Sequence, residues 1–363
     1  MVPLIRASQV TPFLEAAERI GVPTHRHLDA VRLPEAALHA PGRMIARHQL
    51  WGLADSIAER EGIAGFGLEA ATSDPVSKLG AFGGELLGEP TLAAALRRLA
   101  RQIGEHSTHA RFEGMRVSSG VRIGRCDDGY RLGGSAVVEQ YILRLLVGIV
   151  REAEPGWRPR RIWLRGDFMR NVEDEALSGA ETIRGSGVTG VEVPAALLAR
   201  PMRAGPPALG APATDVPRDF TGTLRAALAP LVGHVRLDLH MAAELAGVDP
   251  RTVRRRLVAE GTSWRALLDE LRFEHARARL GDPEVRLAEI AHELGYADSA
   301  HFARAFRRWA CVTPSEFREG SSAPGGRGRR PGRVASCPSG ARRSPASVIK
   351  LAAPAPSGRA RRT

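Results

Sequence analysis

Between Leu237 and Phe317 one pattern occurs twice, and it constrains the fold more than any other feature of the 363 residues. The first copy runs Met241-Ala-Ala-Glu-Leu245 into Asp249-Pro-Arg-Thr-Val253-Arg-Arg255-Arg-Leu257. The second runs Ile290-Ala-His-Glu-Leu294 into Asp298-Ser-Ala-His-Phe302-Ala-Arg304-Ala-Phe306. The offset is 49 residues, the difference between 298 and 249. It carries Ala242 to Ala291, Glu244 to Glu293, Leu245 to Leu294 and Arg255 to Arg304. Each copy reads as a short helix, a turn at Gly247 or Gly295, and a second helix opened by an aspartate N-cap, Asp249 or Asp298. Pro250 suits the first helical position. Val253 and Leu257, like Phe302 and Phe306, give the second helix one apolar edge, and arginine fills much of the rest. This is the pattern of a helix-turn-helix, whose second helix can enter a DNA major groove. The plainer alternative is a pair of helical hairpins with solvated arginine faces. Two copies with caps and arginines in register weigh against it.

A helix predicted over Ser263–Leu280, stopped by Gly281-Asp-Pro283, joins the copies. About 18 residues at ~1.5 Å rise make a rod of ~27 Å. Such a rod can hold two recognition helices near one DNA turn apart, ~34 Å. The aromatic residues Trp264, Tyr296, Phe302, Phe306, Trp309 and Phe317 could stack on bases, but their helical spacing assigns them to the core.

The net charge of +12 is not by itself the argument for DNA. Residues 319–363 carry nine Arg and one Lys against one Glu, whereas residues 234–318 are nearly balanced. What matters is placement: Arg251, Arg254, Arg255 and Arg256 on one recognition helix, Arg304, Arg307 and Arg308 on the other. The tail, rich in Gly, Ser, Pro, Ala and Arg, cannot build a core and reads as a disordered basic extension. A sequence-tolerant architectural protein acting through that tail is the competing function.

The double motif resembles the DNA-binding domain of the AraC/XylS family of bacterial transcription regulators. The match rests on Leu245-Ala-Gly-Val-Asp-Pro-Arg-Thr-Val-Arg-Arg-Arg-Leu257, Glu260-Gly-Thr-Ser-Trp264, Ile290-Ala-His-Glu-Leu-Gly-Tyr296, Phe302-Ala-Arg-Ala-Phe-Arg-Arg-Trp309 and Thr313-Pro-Ser-Glu-Phe317. Ala310-Cys311 departs from it, since the family usually has Gly after a small polar residue there. The resemblance implies base contacts from Arg251, Thr252, Arg255, Ser299, His301 and Arg304. Arg254, Arg256, Arg307 and Arg308 are placed for phosphate.

Upstream the chain reads as α+β, helices on an antiparallel sheet. Helices are predicted at Pro12–Ile20, around Leu28–Leu38, and over Met44–Ile63, Thr91–Ile103 and Val137–Glu152, with a further one after Phe168. Strands are predicted at Ala110–Val117, Gly120–Arg125, Tyr130–Leu132 and Arg161–Leu164, with a strand pair around a glycine loop in Thr182–Val193. The landmarks Phe66-Gly-Leu68, Leu79-Gly80, Thr91-Leu-Ala-Ala-Ala-Leu96 and Trp157-Arg-Pro159 resemble the arabinose-binding-like N-terminal domain of the ornithine- and arginine-responsive branch. That resemblance implies sensing of a small-molecule effector or subunit contact. Arginines spread through 97–170 could clamp an acidic effector, or could simply be solvated.

Other chemistry finds little support. Gly185-Ser-Gly-Val-Thr-Gly190 matches G-x-G-x-x-G but opens no helix. His25/His27 and His106/His109 lack neighbouring ligands at metal spacing. Cys126, Cys311 and Cys337 form no paired motif, which suits a reducing cytoplasm. The expected organisation is an α+β effector-sensing or dimerisation domain (1–199), a linker (200–217) and an all-α domain with two helix-turn-helix motifs joined by a linker helix (218–318). The disordered basic tail (319–363) completes it. No enzyme, cofactor, metal or membrane span is expected. Double-stranded DNA is the expected partner, and the resemblance leaves room for RNA polymerase and a homodimer.

Overall fold

A computed structural model describes residues 1–72, 74–126, 135–170, 172–203 and 216–322. The predicted strand at Tyr130–Leu132, most of the linker and nearly all of the basic tail lie outside them.

Among the described residues the N-terminal half holds eight α-helices: α1 (Thr11–Arg19), α2 (His25–Ala30), α3 (Arg47–Glu61), α4 (Phe66–Ala70), α5 (Ala81–Leu87), α6 (Leu92–His106), α7 (Ala136–Arg151) and α8 (Ala195–Leu198). Seven strands accompany them: β1 (Leu4–Arg6), β2 (Met44–Ala46), β3 (Phe112–Val117), β4 (Gly120–Cys126), β5 (Arg161–Leu164), β6 (Glu181–Arg184) and β7 (Val188–Pro194). α7 is the centrepiece. Its run Val137-Val-Glu-Gln-Tyr-Ile-Leu is buried almost all round, and it packs on α3, α4 and β7. Its polar members are paired inside the fold, Glu139 with Arg125 and Gln140 with the Ala64 and Phe168 carbonyls at 2.8 Å. Thr91 caps α6 as predicted, its hydroxyl accepting from the Ala94 amide at 3.3 Å.

The main sheet has the order β3-β4-β7-β5-β6. It is mixed rather than antiparallel, because β5 and β6 run parallel. The expected hairpin in Thr182–Val193 is corrected as well: β6 and β7 are not partners, since β5 lies between them. Local alternation identifies a strand but says nothing of a parallel partner reached from far along the chain. The second helix covers only His25–Ala30, and between Phe168 and β6 the described residues form no helix.

A two-stranded ribbon, β1 with β2, replaces the start of the helix expected over Met44–Ile63. Its period-two alternation divides it between two cores. Ile5 and Ile45 point into the N-terminal core, whereas Val2, Leu4, Met44 and Ala46 belong to the core of the C-terminal helices.

Those helices are α9 (Phe220–Leu228), α10 (Leu239–Ala246), α11 (Pro250–Ala259), α12 (Trp264–Leu280), α13 (Leu287–Glu293), α14 (Ser299–Ala310) and α15 (Pro314–Ser322). α15 thus continues four residues into the stretch assigned to the tail. Phe302 and Phe306 are fully buried, and Phe306 packs against Phe273, Phe317 and Trp309 with ring centroids 5.6–6.4 Å apart. Trp264, Tyr296 and Phe317 are half-buried against the same core. At ~1.5–3 kcal/mol for each large apolar side chain buried, these rings hold a small all-helical domain together.

Candidate nucleic-acid interface

Both copies of the repeat fold as helix-turn-helix units, α10–α11 and α13–α14, and their corresponding atoms do corresponding work. Asp249 accepts the Thr252 amide at 2.8 Å and the Thr252 hydroxyl at 2.7 Å. Asp298 accepts the His301 amide at 2.7 Å and engages His301 Nδ1 at 2.8 Å. Thr252 and His301 are 49 apart, so one clasp occurs twice. These bonds hold both aspartate carboxyls below the usual range, led by the Thr252 hydroxyl at Asp249 and by the His301 amide at Asp298. The turns use glycine in the left-handed region, Gly247 at φ 62 and Gly295 at φ 76, a conformation strained for other residues.

Capping fixes which way each recognition helix faces. On α11, Val253 and Leu257 are fully buried while Arg251, Arg254 and Arg255 are exposed. On α14, Phe302, Ala305 and Phe306 are buried while His301, Arg304, Arg307 and Arg308 are exposed. Ser299 and Thr252 are half-buried. Two arginines have intramolecular work besides: Arg256 lies over the Phe220 ring at 5.1 Å, and Arg308 approaches Asp269 of α12 at 3.3 Å. Sequence reasoning did not anticipate either contact.

α12 begins with Ser263 as N-cap, its hydroxyl accepting from the Ala266 amide at 3.2 Å, and packs on α9 and α14. Glu293, on α13, accepts from Arg279 at 2.7 Å and meets His275 at 2.9 Å. Glu260, just past α11, caps α9 through the Phe220 and Thr221 amides at 2.9 and 2.7 Å. At the end of α14, Cys311 occupies φ 62, where the resembling family carries glycine. Among the described residues Cys126 is a free thiol.

The other candidate sites come to nothing. His27 is buried beside Ser56 Oγ at 3.0 Å and Glu61 at 3.2 Å, and His106 stacks on Phe82. Gly185–Gly190 is a turn running into β7. Among the described residues no cluster of three metal-ligating side chains occurs, and no helix is long and apolar enough to cross a membrane.

Fold and surface together define a class: a chain carrying two helix-turn-helix units with capped, arginine-bearing second helices. Residues 242–320 match the family described as helix-turn-helix domain, and residues 21–202, half of the chain, match the arabinose-binding domain of AraC transcription regulators. The chain belongs to the AraC family of transcription regulators. It is 40% identical over 82 residues to the ornithine utilization regulator of Pseudomonas aeruginosa, a match covering 23% of this chain and 24% of that protein. It is 39% identical over 100 residues to an uncharacterized HTH-type transcriptional regulator of Mycobacterium tuberculosis, covering 28% and 29%. The chain thus aligns with under a third of the length of these relatives. Among solved structures it is similar to the transcriptional regulator CdpR of Pseudomonas aeruginosa, with TM-score 0.37 and 22% identity over 86% of this chain and 98% of that one.

Proposed function

We propose that the protein is a sequence-specific DNA-binding transcription regulator whose two recognition helices enter successive major grooves. Residues 218–318 form the DNA-binding domain, residues 1–199 the effector-sensing or dimerisation domain, and residues 200–217 the link between them. The protein acts in the cytoplasm, on double-stranded DNA. The observation that carries this reading is the repeated aspartate clasp with exposed arginine at the same offset, Arg255 and Arg304.

Arg251, Arg255 and Arg304 can grip guanine in bidentate fashion. Thr252 and His301 are oriented by their aspartates, and Ser299 lies at the start of α14. Arg254 and Arg307 are free to meet phosphate, whereas Arg256 and Arg308 would first leave Phe220 and Asp269. Control from the N-terminal half has a physical route in the β1–β2 ribbon, where Ile5 sits in one core and Leu4 in the other. The Val2 amide also donates to the fully buried Thr223 hydroxyl of α9 at 3.0 Å.

The test is selection of a preferred site from a randomised DNA library, followed by binding titrations across salt. Arg255→Ala and Arg304→Ala should each lose ~1–3 kcal/mol of discrimination and change folding stability by no more than ~0.5 kcal/mol. Arg307→Ala should lower affinity for all sequences and reduce the salt slope by about 0.9. Site preference unchanged by both Arg255→Ala and Arg304→Ala would refute the assignment.

A further inference from the structure

The main sheet ends on β3, whose outer edge meets no strand among the described residues. The Cys126 amide donates to the Arg111 carbonyl at 2.9 Å, and this pair continues the β3–β4 register. In an antiparallel ladder the bonded pairs alternate with unbonded ones. Odd-numbered residues of β3 therefore turn their backbone groups to β4, while Phe112, Gly114 and Arg116 turn theirs outward. The register is unbroken over Phe112–Val117, and the strand has no bulge, proline or lysine, common guards of an edge. Residues 113–116 are exposed, and after Val258 the most exposed large apolar side chain among the described residues is Met115, at 52%. The opposite edge differs: β6 is four residues long, and Arg161 of β5 holds its Glu181 at 2.9 Å.

We propose that β3 pairs with the same strand of a second copy, antiparallel about a two-fold axis, so that one sheet runs through both chains. The proposal rests on the reading of residues 1–199 as a dimerisation domain. Parity and charge choose the register. Outward backbone groups bond only to outward groups, so the axis passes through a residue rather than between two. An axis at Glu113 or Arg116 sets like charges directly opposite. An axis at either end of the strand leaves most of it unpaired. At Gly114 it sets Glu113 across from Met115 of the second copy. At Met115 the two methionines face each other in an unbonded pair, where side chains come closest, and Glu113 faces Val117 of the second copy. Only the last buries Met115 against an apolar group, so the axis lies there. A second copy is the occupant because one symmetry operation satisfies both edges at once. Pairing of two six-residue strands lies at the low end of interface size, below about 1,200 Å², so the association is weak in free solution. Chains bound at neighbouring DNA sites raise each other's effective concentration and strengthen it.

The experiment uses the full chain. Sedimentation should show reversible dimers at roughly 10–100 μM. Oxidation of Met115→Cys should give a covalent dimer, since the paired Cα atoms lie about 4.5 Å apart, within disulfide range. Arg116→Cys lies about 8 Å from its counterpart in this register and should not cross-link. The parent, which keeps the native cysteines, is oxidised alongside. Gly114→Pro removes an amide that β4 does not use, and a β-carbon there meets only Val121 and Ile123, at 3.6 and 4.0 Å. It should melt with the parent and weaken dimerisation at least about tenfold. The cross-link at Met115→Cys covers the case in which Gly114→Pro fails to fold. A covalent dimer from Arg116→Cys but not from Met115→Cys, none from either, or dimerisation unchanged in Gly114→Pro would each overturn the proposal. A parent that dimerises without these signatures has its interface elsewhere, which overturns this proposal and leaves the dimerisation reading standing. A parent monomeric up to about 100 μM, with no cross-link at Met115→Cys, overturns both.

Discussion

Arginine is used in opposite ways in the two halves of the molecule. In the N-terminal half Arg6, Arg47 and Arg125 are at most 5% exposed; in the C-terminal half Arg251, Arg255, Arg304 and Arg307 stand in solvent. The buried set is held by specific partners: Arg6 donates to the Gly42 and Glu105 carbonyls at 2.8 and 2.9 Å, and Arg125 to Glu139. The exposed set sits on helices whose other faces are apolar, so the fold does not depend on it. A side chain that the fold can spare is available for a partner. One that is buried at high desolvation cost is there for structure. Substitution should therefore separate the halves, with stability lost in one and binding lost in the other.

The largest effect is expected at Arg125. Arg125→Ala should destabilise by ~3–5 kcal/mol, the range for removing one partner of a buried ion pair. Replacing the pair together, Arg125→Met with Glu139→Leu, should recover most of that in a denaturant titration. A cost under ~1 kcal/mol for Arg125→Ala would place the residue with the solvated arginines and erase the contrast.

Acid should separate the halves next. Burial, then the nearby Arg6, pushes His106 down to about 4 from 6.5. The unfolded chain takes up a proton below 6.5 that the folded chain refuses until about 4. Stability from this group is therefore complete above that window and falls as pH drops through it, by ~1–2 kcal/mol once solvent screening of this half-buried ring is allowed for. His27 and His48 are lowered too, first by burial, and add in the same sense. In the C-terminal half the shifted groups include Asp249 and Asp298, depressed carboxyls whose stabilisation persists until the pH falls below the ordinary carboxylate range. Near-ultraviolet spectra and tryptophan fluorescence should show the N-terminal half weakening first on acidification. His106→Phe, which keeps a ring against Phe82, should flatten that early slope. Simultaneous loss of both halves in both proteins would count against the assignment.

The C-terminal half was legible because its information is local and repeated. A cap such as Asp298, a turn glycine such as Gly295 and an apolar edge such as Phe302 with Phe306 lie within a dozen residues, and a second copy confirms each. The ribbon was not legible: Leu4–Arg6 is three residues long, and its partner is some forty residues away in a run with helical composition. Nor was the parallel pairing of β5 with β6. The buried arginines were half legible. Arg125 shares the alternating face of Val121 and Ile123, and Arg47 falls on the stripe of Leu50, Trp51 and Ala54, so periodicity already turns both inward. What sequence withholds is that the two faces meet over Trp51. Cys311 shows the converse, a departure visible in the sequence whose meaning the backbone supplies. At φ 62 a β-carbon costs ~1–2 kcal/mol. In reductant, Cys311→Gly should stabilise by about 1 kcal/mol, part of the relief being offset by the freer unfolded chain. An unchanged melting temperature would mean that the turn tolerates cysteine.

The smallest effect should come from the contact that most resembles a switch. Glu244 and Glu293 occupy the same position in the two copies, yet they reach different partners: Glu293 binds His275 and Arg279 within its own domain, whereas Glu244 meets Arg32 of the N-terminal half at 3.1 Å. Arg32 itself sits at φ 50, an unfavourable backbone for its type. The pair is 52% and 63% exposed, so solvent and salt screen it. Arg32→Ala keeps the same backbone strain and removes only the side chain. It should cost ~0.2–1 kcal/mol at low salt and less at high salt, and a double-mutant cycle with Glu244→Ala should return a coupling of that size. If communication between the halves runs through the buried ribbon, ligand-dependent DNA binding in Arg32→Ala should stay within about twofold of the parent, since a loss of ~1 kcal/mol shared by both states shifts neither. A larger change would move the route of communication from Leu4 and Ala46 to the surface pair.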